Sequence, residues 1–375
     1  MSFTFTQEQA LLKDSVGSYL RDKYPFEERQ RIVKSEAGYS SSHWKNMSDL
    51  GLMGAPFPEY LGGYGGGIYA GVATMIEFGR SLVVEPYLAT VSFAGGLICA
   101  GNNEEFKASI IPEVVAGTQI LAFAHEERGT RGNSLNIALT AEKKGDNFIL
   151  NGEKLGVHAA LIADKWVVTC RTSGKVGDEQ GLSILLVDAL AEGIVRTDFT
   201  NIDGFKSANV QFNNVCVSSS NLLSAQGEAA SVLNEAFKSA ITLLCAEAVG
   251  AMEVLLDATV QYSKDREQFD KPIGSFQSLK HSIVDMFIAL ESSSAVLMGT
   301  AALVEVGSCT DRDISILKAQ IGEAGRYIGQ QAVQVHGGMG MTDEVTIGYY
   351  LKRLLAIDAI FGNTDYHLRV LGAGQ

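Results

Sequence analysis

The sequence predicts an α+β protein in three consecutive regions: helices, then short antiparallel strands, then long helices. Three observations carry this. Apolar residues recur at helical spacing near the start, short β-rich runs with turn residues between them fill the middle, and long runs almost free of helix breakers follow. The boundaries fall at 1–120, 121–226 and 227–375, and a chain of 375 residues is too long for one ordinary core.

In the first region Thr6 followed by Gln9 predicts a capping box, with Leu12, Val16, Tyr19 and Leu20 recurring behind it. The Gly-rich stretch Pro58–Gly67 reads as a connector. It lacks the preceding strand and following Lys-Ser/Thr of a phosphate cradle. In the middle region the runs Asn147–Leu150, Lys165–Thr172, Leu182–Asp188, Ile194–Thr200 and Val210–Val217 predict strands. Turn signals at Gly145-Asp146-Asn147 and Asn151-Gly152 separate them, which suggests a small antiparallel barrel or sandwich. Ala229–Tyr262, Phe276–Val306 and a run from about Asp311 to Val335 predict an antiparallel helical bundle.

Composition narrows the function. Hydrophobic residues are 46% and charged residues 19%, the balance of a globular protein. A net charge of −13 argues against an electrostatic grip on nucleic acid. No uninterrupted apolar run approaches the ~18 residues of a membrane span. The N-terminus turns polar too soon for a signal peptide, so a cytoplasmic location is expected. Cys99, Cys170, Cys216, Cys245 and Cys309 show no CxxC spacing, and the histidines show no HxxxH, so reduced thiols and no metal are expected.

One constellation is more specific. Asp265–Gln277 contains Arg266, Phe269, Ile273, Phe276 and Gln277 in the pattern R-x-x-F-x-x-x-I-x-x-F-Q, and Gln334, Gly337 and Gly338 follow as Q-x-x-G-G. An arginine fork suits a pyrophosphate, an aromatic face suits a ring, and bare glycines let a phosphate reach backbone N–H groups. Both segments, at this separation, resemble the acyl-CoA dehydrogenase family. The resemblance covers nearly the whole chain and implies an N-terminal helical domain, a middle antiparallel β-barrel and a C-terminal four-helix bundle. It also implies FAD as cofactor, an acyl-CoA substrate, an electron-transfer flavoprotein as acceptor, and a homotetramer or a heterotetramer with a second such subunit. Arg266, Phe269, Gln277, Gln334, Gly337 and Gly338 are the implied FAD contacts, the last three reaching a neighbouring subunit's flavin. The stretches Cys245–Glu253 and Gln330–Thr342 further resemble the small subunits of pimeloyl-CoA dehydrogenase and related two-component bacterial enzymes.

Two departures stand out. Where the family carries T-E-P-x-x-G-S-D before the barrel, this chain reads Ala124-His125-Glu126-Glu127-Arg128-Gly129-Thr130-Arg131. His125 here replaces a hydroxyl donor to the flavin or is a surface histidine, while Trp166 is either a strand-core or a flavin-facing aromatic. The family's Y-E-G-T segment is also altered. It reads Phe361-Gly362-Asn363-Thr364 here, so Gly362 stands where the proton-abstracting Glu would be. The resemblance leaves Gly362 N–H as a donor to the thioester and Thr364 as a flavin contact. The family's other Glu position aligns with Ala240-Ile241. Glu247 lies seven residues on, near the same angular position and about 10 Å along the helix. It is therefore the expected base, against the alternative of a helix–helix ion pair, with Asp365 as fallback. The rival function is a non-catalytic subunit completing a site for an unlike partner.

Overall fold

The structure, a computed structural model, describes residues 5–373. In chain order come α1 (Gln7–Lys23), α2 (Phe26–Lys34), α3 (Ser41–Asp49), α4 (Gly67–Ser81), a π-helical stretch Leu88–Gly95, α5 (Gly96–Ala100) and α6 (Glu104–Val115). The strands are β1 (Leu121–Ala124), β2 (Thr140–Lys144), β3 (Asn147–His158), β4 (Lys165–Arg171), β5 (Leu182–Asp188), β6 (Ile194–Thr200) and β7 (Lys206–Ser218). Then follow α7 (Ala230–Asp265), the short hairpin β8 (Glu267–Gln268) and β9 (Lys271–Pro272), α8 (Gln277–Glu305), α9 (Asp311–His336), α10 (Ile347–Ala359) and α11 (Thr364–Ala373). Contacts divide the described chain into two compact units, one of residues 5–30, 68–83 and 241–373, the other of 31–67 and 84–240.

The second unit holds one curled sheet of seven strands, with β4 pairing β1, β2 and β5, and the path continuing β2-β3-β7-β6. This corrects the expected barrel in two ways. The sheet is open, because β6 pairs only β7 and nearly all its residues are exposed. Arg196 pairs with Asp198 along that edge, the charged blunting that keeps an edge strand from recruiting another. It is also mixed, because β1 and β2 lie parallel to β4.

In the first unit α1 opens on the predicted capping box, with Thr6 Oγ1 accepting from Gln9 N at 3.3 Å and Gln9 Oε1 from Thr6 N at 2.9 Å. α9 opens on another, Thr310 with Asp313, and packs against α8, α10 and α11. α4 meets α7 backbone to backbone. A Cβ on Gly79 would stand 1.9 Å from the Glu247 carbonyl oxygen, and one on Gly250 would stand 1.9 Å from that of Ile76. This reciprocal pair of glycines sets the distance between the two helices.

By length and hydropathy both α7 and α8 are apolar enough to cross a bilayer. In α7, 83% of the apolar window is buried inside the protein, as in a core helix; in α8 the figure is 33%. Val284, Phe287 and Ile288 accordingly stand about half exposed on α8.

Gly250→Ala is expected to cost at least ~2 kcal/mol, since neither backbone can move without unpacking its helix. Thermal unfolding checks this, with Gly372→Ala, which meets nothing within 4 Å, as the neutral control.

Candidate active site

Two helix ends meet in the first unit. At the end of α7, Tyr262 stacks on His336 at the end of α9, with ring centroids 4.3 Å apart. His336 is fixed in turn by a bond from its Nδ1 to the Ala332 carbonyl at 2.7 Å. The stack brings the Arg266 and Gly337–Gly338 segments to one end of the bundle. Beyond Arg266 the chain makes the β8–β9 hairpin, closed by Ile273 N donating to Arg266 O at 2.8 Å. Its two turn residues are Phe269 and Asp270, at φ 55° and 59°. Such a turn normally takes Asn-Gly, so an aromatic here is held against its own preference. Phe269 is 85% exposed, and Arg266, Gln277, Gln334, Gly337 and Gly338 are exposed as well. Gly337 sits at φ 62°, and a Cβ on Gly337 or Gly338 would meet nothing within 4 Å. The end is therefore a guanidinium, a bare aromatic face and open backbone.

The loop after β1, in the second unit, is organised around a cation that sequence reasoning passed over. Lys154 on β3 is fully buried, and its ammonium donates to Glu127 Oε1 at 2.7 Å, His125 O at 3.0 Å and Thr169 Oγ1 at 3.0 Å. Glu127 also accepts from Ala138 N and Leu139 N at 2.7 and 3.1 Å. Burial pulls the Lys154 pKa down, while Glu127 draws it back. His125 is not a surface histidine. It is 2% exposed, its Nδ1 lies 3.1 Å from Thr169 Oγ1, and its ring packs against Phe123 and Phe237. Burial first, and Lys154 second, hold its pKa well below the ordinary value, so it is neutral. Trp166 lies wholly inside, its indole N–H without an acceptor among the described residues. Lys154 was findable: it stands in phase with the inward Phe148 and Leu150 of its strand.

The expected base is placed otherwise than its role requires. Glu247 is 3% exposed, and both its oxygens are taken by Arg353 of α10, Nε to Oε1 at 2.6 Å and Nη2 to Oε2 at 2.7 Å. The ion-pair alternative therefore replaces the base: a carboxylate gripped on both oxygens in the core is not turned to a substrate carbon. Thr364 is corrected too. Its N–H and hydroxyl both donate to Asp358 Oδ1, at 2.9 and 2.7 Å, so the buried side chain faces its own core rather than a ligand. Gly362 lies in the α10–α11 turn at φ 93°.

Family models match along the chain: the acyl-CoA dehydrogenase N-terminal domain over residues 6–118, the middle domain over 122–215 and the C-terminal domain over 230–375. The chain belongs to the acyl-CoA dehydrogenase family. It is similar to the probable acyl-CoA dehydrogenase YngJ of Bacillus subtilis, at 27% identity over 95% of this chain and 93% of that one. It is 30% identical to the caffeyl-CoA reductase-Etf complex subunit CarC of Acetobacterium woodii, over 80% of each. Among solved structures it resembles a chain of the ChsE4-ChsE5 complex from Mycobacterium tuberculosis, with a TM-score of 0.90, 25% identity, and coverage of 100% of this chain and 98% of that one. Within this acyl-CoA dehydrogenase fold, the buried cations Lys154 and Arg353 hold the chain itself.

Removing one half of the Glu247–Arg353 pair strands the other in the core. Arg353→Leu is expected to cost ~3–5 kcal/mol, and Glu247→Leu combined with Arg353→Leu to recover most of it, in thermal unfolding. Glu126, half-buried beside Lys154 and Glu127, has its pKa raised by burial from 4.5 to about 7. The folded state therefore binds this proton more tightly than the unfolded chain. The resulting stabilisation is full below the unfolded value and is lost as pH rises through the folded one. Between about pH 5 and about pH 8, wild type should lose stability that Glu126→Gln keeps, as unfolding midpoints across that range will show.

Proposed function

We propose that the chain is a subunit of an FAD-dependent acyl-CoA dehydrogenase, which desaturates an acyl-CoA between the α and β carbons and passes the electrons to an electron-transfer flavoprotein. The observation that carries this reading is the end of the bundle where the Phe269 turn and the bare Gly337–Gly338 backbone stand together. These residues fit FAD. Arg266 offers a fork for the pyrophosphate, Phe269 a face for a ring, and Gly337 and Gly338 leave room where a Cβ would meet nothing. Gln277 and Gln334 are the polar groups beside them. Bound FAD supplies the acceptor for the β-hydride.

The chain's own groups bind and polarise the substrate, and the α-proton passes to a carboxylate outside the buried pair, the exposed Asp365 at the start of α11. Gly362 N–H polarises the thioester carbonyl, which acidifies the α-proton. His125, a neutral imidazole held by Thr169, supports the flavin side of the second unit. All the proposed dinucleotide contacts of the first unit are exposed, so a second subunit of this fold is needed to enclose the cofactor. The half-bare apolar face of α8 is a surface such an assembly would cover.

A second reading is favoured by one observation: Glu247 is locked to Arg353, and Gly362 brings no carboxylate. In this reading an unlike subunit contributes the base, and this chain completes its cofactor site. The two-component relatives of this fold point the same way.

The experiment is anaerobic mixing of the FAD-loaded protein with butyryl-, octanoyl- and pimeloyl-CoA, alone and with a co-expressed second dehydrogenase subunit. Bleaching of the flavin is expected. Bleaching only with the second subunit selects the second reading, and a protein that holds no FAD in either form ends both. Glu247→Gln, once loaded, should bleach at nearly the wild-type rate; a large loss would return the base to Glu247.

A further inference from the structure

The α10–α11 turn is held from beneath by groups that no ligand role accounts for. Lys318 on α9, 1% exposed, donates to the carbonyls of Ile357, Asp358 and Ile360 at 2.8, 3.2 and 2.8 Å. It caps the end of α10 with a buried charge and fixes the backbone entering the turn. The next carbonyl, Phe361 O, is met by His367 of α11, whose Nε2 lies 3.2 Å away. The other ring nitrogen, Nδ1, lies 3.2 Å from Ser315 Oγ.

These contacts determine where the proton sits. A carbonyl oxygen only accepts, so His367 Nε2 carries the hydrogen, and Nδ1 accepts from the Ser315 hydroxyl. Burial, and after it the Lys318 charge, lowers the His367 pKa to about 4, so this neutral arrangement holds at physiological pH.

The consequence falls on the next residue. Phe361 C=O and Gly362 N–H belong to one planar trans peptide and point in opposite directions. With the carbonyl tied inward to His367, the N–H points away from it, across the turn toward the end of α10, and makes no hydrogen bond of ordinary geometry among the described residues. Phe361 and Gly362 both have positive φ, 56° and 93°, as this turn of the plane requires. No side chain fits at position 362, because a Cβ there would stand 2.6 Å from Tyr366 Cδ1 and 2.9 Å from His367 Nε2. The ring of His367 thus occupies the space into which a residue 362 side chain would start. The turn is rebuilt around a bare amide.

We propose that His367 is a positioning residue, fixing the Phe361–Gly362 peptide so that Gly362 N–H is presented to the thioester carbonyl of the acyl-CoA. This rests on the dehydrogenase reading above. A hydrogen bond at the carbonyl also polarises the peptide and strengthens its N–H as a donor, so His367 acts on both the direction and the strength of the contact.

The test uses the FAD-loaded protein, in whichever assembly bleaches, with the acyl-CoA of the panel that bleaches it fastest. His367→Leu removes the donor and His367→Gln restores one. His367→Leu should lower kcat ~10-fold or more, part of what loss of a whole oxyanion donor costs, with KM and flavin content nearly unchanged. His367→Gln should recover most of the rate. Independently of turnover, the infrared stretch of a 13C-labelled thioester carbonyl should move to lower frequency on binding wild type, and less on binding His367→Leu. If His367→Leu is too unstable to isolate, Ser315→Ala carries the test, by freeing the ring without removing it. A smaller loss of the same two signals then supports the proposal. An unshifted difference in carbonyl frequency between wild type and either variant overturns it while leaving the dehydrogenase reading intact. A wild type that bleaches with no acyl-CoA, in either assembly, overturns both.

Discussion

The buried pair of Glu247 and Arg353 is the constraint on which the helical unit depends. Glu247 sits one turn from Gly250 on α7, and its own carbonyl is the one that Gly79 of α4 approaches. Its side chain reaches Arg353 on α10. One residue therefore fixes α7 against two helices at once, through backbone on one side and charge on the other. Two ions buried this way gain little over an apolar pair. Their value is geometric, because a bidentate fork tolerates one register and no other. A slide of α7 by one residue would break the fork and push both glycines off their carbonyls together.

Much of this was legible in the sequence, and the misses have physical causes. The long helices were visible because they lack breakers over many turns, and the Thr6–Gln9 cap because its two hydrogen bonds are local. β5 and β6 were legible at their observed bounds from β-branched runs between turns. β1 was not, because Leu121–Ala124 is only four residues long and buried on both faces, so it has no alternation to see. β2 was missed because Thr140–Lys144 is mostly polar and exposed. Those two strands carry the parallel pairings, which is why the sheet reads as an antiparallel barrel from sequence and folds as an open mixed one.

The site divides along the same line. Arg266, Phe269 and the Gly337–Gly338 pair could be singled out as candidates because a spacing of several residue types is specific. That Tyr262 and His336 clasp the two segments together was not, since 73 residues of the chain separate them and a single stacked pair leaves no periodicity. Glu247 failed for another reason. A carboxylate in an apolar helix signals either chemistry or a partner, and the partner, Arg353, lies on a different helix. Sequence gives the cost of burying that charge but not the group that offsets it.

The deepest charges of this chain all serve its own backbone or one another. Lys318 holds three carbonyls, Lys154 a carbonyl and a carboxylate that itself grips two amides, and Arg353 a carboxylate. Each is committed in several directions, and none has capacity left to follow a substrate through a reaction. The groups proposed above to meet a ligand are of another kind: the Arg266 fork, the Phe269 ring and two open glycines stand exposed, and the Gly362 amide is peptide in a buried turn. Groups of that kind bind and orient well, because they are fixed by what lies beneath them and cost little to desolvate further. They do not remove protons. A chain built this way contributes precision to a reaction whose basic group must come from a residue it does not bury.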